Sequence, residues 1–241
     1  MKDNKPIFKP YRKKSAHNYV FEVLKEFIIS GAYKPGDRLP TEIELSKTMG
    51  ISRAATREGL RELEGIGLIT TVQGSKGGRF VKNINSDIIV NGLDILLKTH
   101  KTSFDELIEA RKAIECITAK MAATNRSQEN LTAMSKVLDL RVKSKEEFYS
   151  KTFELHELVA LASQNKVLFY IVQAIRRLIF QTYSEISLEE NNIELVMKTH
   201  NAIFKSIKNR DPKGAERAML SDIEAYRKLY LDVLKKRFSD E

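Results

Sequence analysis

The stretch Leu39 to Leu68, LPTEIELSKTMGISRAATREGLRELEGIGL, constrains the fold more than any other part of the chain. Thr41-x-x-Glu44 is a capping box: each side chain can satisfy a free backbone N–H at the other's position, so a helix opens there. Ile43, Leu45 and Met49 supply its apolar positions, Gly50 offers the left-handed stop that ends a helix, and Ser52 can N-cap the next one. The spacing predicts a helix, a three-residue turn and a second helix. On that second helix Arg53, Arg57 and Arg61 recur every four residues and share one face, while Leu60, Leu63 and Ile66 lie on another and can pack inward.

A helix whose first turn carries Arg beside small residues (Ser52, Ala54, Thr56) can enter a DNA major groove, where Arg reads guanine and small residues allow close approach. A merely solvated charged face, paired with Glu58, Glu62 and Glu64, is the alternative, but those acids leave the first turn basic. The placement of charge favours the nucleic-acid reading. Of the net +9, residues 1 to 82 hold 16 Lys/Arg against 9 Asp/Glu, leaving 25 against 23 for the rest. A polyanion partner is thus expected for the N-terminal part and a different task for the remainder.

At 241 residues, 42% of them hydrophobic, the chain can build two modest cores. The single cysteine, Cys116, lies in an apolar helical pattern, which excludes an intramolecular disulfide and suits a buried, inert thiol. No apolar run approaches the ~20 residues that span a bilayer; LFYIVQAIRRLIF is interrupted by Arg176 and Arg177. The N-terminus lacks the apolar segment of a signal peptide, so the cytoplasm is the expected location and no membrane partner is expected.

Residues 1–14 carry two prolines and six Lys/Arg, as a basic flexible arm would. Such an arm can add phosphate contacts or simply solubilise. Val20, Phe21, Leu24, Phe27 and Ile28 make a helical stripe over about 16–30, closed by Gly31, and Lys34-Pro35-Gly36-Asp37 is a turn. Beyond the arginine helix, β-prone runs at 68–72 and 79–81 flank Gly74-Ser75-Lys76-Gly77-Gly78, a hairpin with a basic tip. Three helices and this hairpin make a winged helix-turn-helix in which Lys76 and Arg79 can reach the DNA backbone or minor groove. GSKGG lacks the glycine order of a dinucleotide-binding or P-loop motif.

From Ser86 onward helical segments recur at about 86–100, 103–124, 127–143, 145–163, 166–187, 189–208 and 211–238, with a capping box at Ser103-x-x-Glu106 and Asp211-Pro212 at a helix start. Leu107, Ile114, Ile117 and Met121 repeat at helical spacing. The expected architecture is mainly α: an N-terminal winged helix-turn-helix with a small β-hairpin wing (15–83) and a C-terminal antiparallel bundle of six or seven helices (84–241).

GDRLPTEIELSKTMGISRAATREGLRELEGIGLI followed by QGSKGGRFV resembles, in order and spacing, the DNA-binding part of GntR-family transcription regulators. ELIEARKAIE, FELHELVALASQN and KTHNAIFKSIKNRDPKGAERAMLSD resemble the all-helical ligand-binding (FCD-type) domain of the FadR subfamily. The resemblance implies base-edge contacts from Arg53 and Arg57, with Ser52 and Gly74 contributing backbone or groove contacts. Arg38, Thr41, Ala54, Thr56, Lys76 and Arg79 complete the candidate DNA-contacting set. Two positions depart from the pattern. Ile43 stands where the family usually has Arg, so one contact is missing and the usual operator sequence does not carry over. Gly59 replaces the commoner Ala, at a cost of roughly 1 kcal/mol of helix propensity unless close packing requires it.

Many members of the subfamily hold a metal on an aspartate, a histidine four residues later and two further histidines. The corresponding positions here are Thr152, His156, His200 and Asp222. His156, His200 and Asp222 suit zinc, nickel, manganese or iron, with water or an effector carboxylate completing the shell, and Thr152 can hydrogen-bond behind them. A metal-free pocket in which Asp222 pairs with one histidine fits the same residues. Arg111 matches an arginine that would bind an effector carboxylate; an ion pair with Glu115, one turn on, is the alternative. Arg176 and Arg177 can line the pocket or cover the bundle.

The function these readings imply is a sequence-specific DNA-binding transcription regulator, of the repressor type and not an enzyme. It would bind a pseudo-palindromic operator in double-stranded DNA as a homodimer and answer to a small metabolite, a carboxylic acid, in the helical domain. A metal-dependent enzyme on the bundle and an architectural DNA binder without an effector are the competing classes.

Overall fold

The computed structural model describes residues 15–139, 145–183 and 190–239, so the basic arm of residues 1–14 lies outside the described residues. The chain divides into two compact units between Ile88 and Ile89.

In the first unit, α1 (Ala16–Ile29) packs on α3 (Arg53–Gly65), with α2 (Glu42–Met49) beside it and the hairpin β1 (Ile69–Val72) and β2 (Gly78–Val81) following. The local signals act as expected. Thr41 and Glu44 form both halves of the capping box, Gly50 takes the left-handed conformation (φ 66°), and Ser52 accepts from Ala55 N at 3.3 Å to start α3. Antiparallel pairing runs from Ile69 opposite Val81 to Val72 opposite Gly78. On its other edge β2 bonds the segment leading into α2, through Leu39 N to Arg79 O (2.8 Å) and Val81 N to Asp37 O (2.9 Å). The wing is thereby tied to the start of α2. Val20, Leu24, Leu60, Leu63 and Ile69 form the core between these elements.

Helical periodicity misplaces two side chains in this unit. Phe27 is 46% and Ile66 42% exposed. Ile66 falls after the last turn of α3, as its C-cap, where the helical spacing no longer applies. Gly59 is explained by packing: a Cβ there would lie 2.6 Å from His17 O and 2.9 Å from Val20 Cβ. Helices α1 and α3 approach too closely for alanine.

The second unit holds α4 (Asp87–Thr99, its first two residues in the first unit), α5 (Phe104–Asn125), α6 (Gln128–Asp139), α7 (Lys145–Ala162), α8 (Lys166–Tyr183), α9 (Glu190–Lys208) and α10 (Pro212–Ser239). Ser103 and Glu106 form the second capping box, and Asp211 Oδ1 accepts from Gly214 N at 2.9 Å, capping α10 ahead of Pro212. Helix α5 is the hub, touching α7, α8, α9 and α10. Ile108, Met134, Leu155, Ile203, Ile207 and Met219 fill the main core. Ile117 is 48% exposed, contrary to the expected stripe. The buried face of α5 instead runs through Ile108, Arg111, Glu115, Thr118 and Ala122, so that polar residues occupy the inside of the helix. No helix among the described residues is long and apolar enough to cross a membrane.

Candidate functional site

Two groups of residues carry chemistry, one in each unit. In the first, the N-terminal turn of α3, the start of α2 and the wing line a groove of ≈ 440 Å³ whose walls include Arg38, Thr41, Ile43, Arg53, Arg57 and Arg79. Ser52, Arg53, Ala54 and Arg57 are exposed along the first turns of α3, and Gly74 and Lys76 are exposed in the loop of the wing. Arg38 donates from Nη2 to Gly77 O at 2.6 Å, holding the wing loop. Gly78 makes that crossing possible, since a Cβ there would lie 2.6 Å from Arg38 Nε.

One expected contact residue is misplaced. Thr56 is fully buried, and its hydroxyl donates to Ser52 O at 3.1 Å. It lies three residues after Arg53 on the buried side of α3 and is not available to a partner. Arg79 is also withdrawn, with 19% of its side chain exposed. Thr41 spends its hydroxyl on the capping box. Sequence reasoning passed over Glu42. Its carboxylate oxygens both lie 3.0 Å from Arg57 Nε, and Oε1 is 3.6 Å from Arg79 Nη2.

In the second unit five helices bring together six ionisable side chains, each at most 5% exposed: Arg111 and Glu115 from α5, His156 from α7, Arg176 from α8, His200 from α9 and Asp222 from α10. Arg111 Nε donates to Glu115 Oε1 at 2.6 Å, and its Nη2 is 3.8 Å from Asp222 Oδ2. The ion pair with Glu115 is therefore formed. Glu115 Oε2 lies 2.5 Å from His156 Nδ1 and 3.7 Å from Arg176 Nη1. Arg176 Nη2 donates to Thr152 O at 3.1 Å, while its buried Nε has no hydrogen-bond partner among the described residues.

The charges balance across two arginines and two carboxylates. Burial works against ionising both carboxyls, but it is outweighed at Glu115 by Arg111 together with His156 and Arg176, and at Asp222 by the interactions with His200, His156 and Arg111, so both lie well below their usual range. Burial lowers Arg176 to about 10, helped by the like charge of Arg111, and it remains a cation at neutral pH. Burial pushes His200 down to about 3, so that its imidazole is neutral. Cys116 is half-buried, short of the full burial expected; desolvation raises its thiol to about 11, aided by the nearby Glu115 and Glu216 carboxylates, so it is protonated at neutral pH.

His156, His200 and Asp222 offer ligand atoms that all lie within 4.8 Å of one another. His156 Nε2 is 3.4 Å from His200 Nε2 and 3.3 Å from Asp222 Oδ2, and His200 Nε2 is 3.4 Å from Asp222 Oδ1. A tetrahedral shell with bonds near 2.1 Å has edges of about 3.4 Å. The donor set therefore fits a small divalent ion. Glu115, bonded to Nδ1, stands behind His156 as a carboxylate that fixes the tautomer and leaves Nε2 its lone pair. Thr199 Oγ1, 2.5 Å from Asp222 Oδ1, orients the carboxylate. Thr152 enters the cluster through its backbone carbonyl. The sequence offered the Arg111–Glu115 pair, one turn apart, and Arg176 as a pocket-lining candidate, but the contacts of Glu115 with His156 and Arg176 cross between helices and could not be read from it.

Residues 17–78 match the family described as "Bacterial regulatory proteins, gntR family", and residues 106–225 match the FCD domain. Among curated relatives, the chain is 28% identical over 216 residues to the "Uncharacterized HTH-type transcriptional regulator YcbG" of Bacillus subtilis, covering 89% of this chain and 90% of that one. It is 27% identical over 229 residues to the "Glc operon transcriptional activator" of Escherichia coli, covering 89% and 88%. It is 26% identical over 230 residues to the "HTH-type transcriptional repressor NanR" of Klebsiella aerogenes, covering 90% and 86%. Activator and repressor both occur among these names. Among solved structures, Streptococcus agalactiae GntR shares the fold, with a TM-score of 0.69 at 21% identity over 88% of this chain and 99% of that one. With an arginine-bearing winged helix-turn-helix in its first unit and an FCD domain in its second, the chain belongs to the GntR family of transcription regulators.

Proposed function

We propose that residues 15–83 read a pseudo-palindromic operator as one half of a homodimer and that residues 84–241 bind a small carboxylate which controls this reading. Arg53 and Arg57 supply the base contacts, while Arg38, Lys76 and Gly74 hold or extend the wing against the backbone. Two-fold symmetry would present two such heads to the DNA. The sign of regulation depends on where the operator lies relative to the promoter. Arg53→Ala is expected to abolish operator preference while leaving weak, salt-dependent binding. A footprint like that of the wild type would refute the recognition assignment.

The observation that carries the effector reading is the convergence of His156 Nε2 and His200 Nε2, 3.4 Å apart, on the Asp222 carboxylate, whose Oδ2 lies 3.3 Å from the first and whose Oδ1 lies 3.4 Å from the second. Lone-pair atoms this close need a proton or a cation among them. Zinc suits the tetrahedral spacing best; nickel, manganese and iron accept the same ligand types. A bound metal would supply positive charge and an open coordination position for the effector carboxylate. Arg176, buried with its Nε unpartnered among the described residues, adds a donor for that carboxylate, whereas Arg111 is held by Glu115 and acts as a support for the centre. The test is metal analysis of protein purified without chelator, with a thermal-shift screen of carboxylic acids with and without EDTA. We expect about one metal ion per chain, stabilisation by at least one acid, and loss of that shift in EDTA, because a ligand stabilises only the state that binds it. A confirmed acid ligand that binds equally well in EDTA, to protein free of metal, would overturn the metal-assisted reading.

A further inference from the structure

Glu42 is an anion on a face that is otherwise basic. Its carboxylate is 18% exposed, and both arginines outweigh the effect of burial and keep it below its ordinary titration range. A negative charge facing DNA opposes binding, so its place needs a reason. The geometry supplies one. Both Glu42 oxygens sit 3.0 Å from Nε of Arg57, so the carboxylate engages the inner edge of the guanidinium. The two terminal nitrogens of Arg57 can then form the fork that reads guanine O6 and N7. Arg57 is 48% exposed and stands at the groove wall, beside Ile43 and Arg53. The same carboxylate reaches Arg79 Nη2 at 3.6 Å. One side chain at the start of α2 therefore joins the recognition helix to strand β2 of the wing.

We propose that Glu42 is a positioning residue for operator specificity: it fixes the Arg57 fork for one base pair and locks the wing strand to the recognition helix. Overall affinity for DNA is lower because of it, and discrimination between sequences is higher. An arginine without this brace can reach several phosphates or bases with similar energy. The braced one presents a single orientation. This rests on the reading of Arg57 as a base contact.

The test uses the full chain and a random-sequence duplex library. Preferred sequences are selected by wild type, Arg57→Ala, Glu42→Ala and Glu42→Gln. Each variant's affinity is then measured for the wild-type consensus duplex and for a shuffled duplex, with melting temperature as a check on folding. Glu42→Ala is expected to bind the shuffled duplex several-fold tighter and the consensus no tighter. The ratio of the two should fall about tenfold, and base preference should vanish at the same pair that Arg57→Ala affects. Glu42→Gln, which can still accept from Nε, should fall between. If Glu42→Ala keeps the wild-type preferences and tightens on both duplexes alike, Glu42 only offsets charge and the proposal fails. Loss of binding to both duplexes with a lowered melting temperature would also overturn it, by making Glu42 a structural residue. A wild-type motif selected by Arg57→Ala would instead overturn the assignment of Arg57, leaving that failure distinct from failure of the Glu42 brace.

Discussion

Gly59 and Glu115 are single residues whose importance comes from what stands opposite them. At Gly59 the helix gives up roughly 1 kcal/mol of propensity relative to alanine. A Cβ would press on His17 O at 2.6 Å and Val20 Cβ at 2.9 Å, and such overpacking costs typically 1–3 kcal/mol. Both atoms belong to α1, one of them backbone, so relief requires moving the helix. Gly59→Ala is therefore expected to destabilise the DNA-binding unit by about 1 kcal/mol net, read as a lower urea midpoint for the transition of that unit. An unchanged or higher midpoint would show that α1 shifts freely. At Glu115 one carboxylate serves Arg111, His156 and Arg176. With Asp222 it supplies the countercharge that allows two arginines to be buried in one cluster.

At the scale of elements, the recognition helix owes its start to one hydroxyl. Ser52 accepts from Ala55 N, and Arg53 is the next residue, so the cap sets where the arginine face begins. Replacing an N-cap serine with alanine costs about 1 kcal/mol, with glycine only a few tenths. Ser52→Ala should therefore lower the melting temperature and weaken operator binding, while Ser52→Gly should leave stability near wild type. If the hydroxyl itself also touches DNA, both variants lose affinity equally, and a fluorescence-anisotropy titration of the two separates cap from contact. Helix α5 illustrates the opposite case. Its start is capped by a local signal, yet part of its inward face is polar, because the helices around it bring His156, Arg176 and Asp222 to it as well as hydrocarbon.

For the whole molecule, the buried centre predicts how stability follows pH. The folded-state pKa of His200 is about 3 against an ordinary 6.5, so the unfolded chain binds more protons between these values. Its contribution is complete above 6.5 and is lost as pH falls toward 3. Glu115 and Asp222 are also depressed, from ordinary values of 4.5 and 3.8, so their contributions are present above those values and are lost further down. Metal-free protein held in EDTA should accordingly lose melting temperature progressively below about pH 6.5, more steeply below about 4.5. A melting temperature that is flat between pH 7 and 5 would show that His200 is not buried as a neutral group.

The winged helix-turn-helix was legible because its information is local. Capping boxes, the left-handed Gly50, the serine N-cap and the arginine spacing act within one or two turns, and the ends of the helices fall within a few residues of their expected places. The bundle helices were legible for the same reason, from Ser103, Glu106, Asp211 and Pro212. Residues whose roles depend on distant partners were not. Thr56 turns inward, Ile117 outward, and Gly59 is required by a neighbouring helix. Glu42 meets a residue fifteen positions away, and Glu115 meets a histidine forty-one positions away. The sequence by itself determined which segments are helical and that the basic face lies on the second helix of the pair, since backbone capping and residue spacing require no other part of the chain. Only the tertiary structure decided which arginine is braced, and that His156, His200 and Asp222 converge on a centre with Glu115 and Arg176 around it. Those charges can be buried only where helices remote in sequence bring opposite charges within hydrogen-bonding reach.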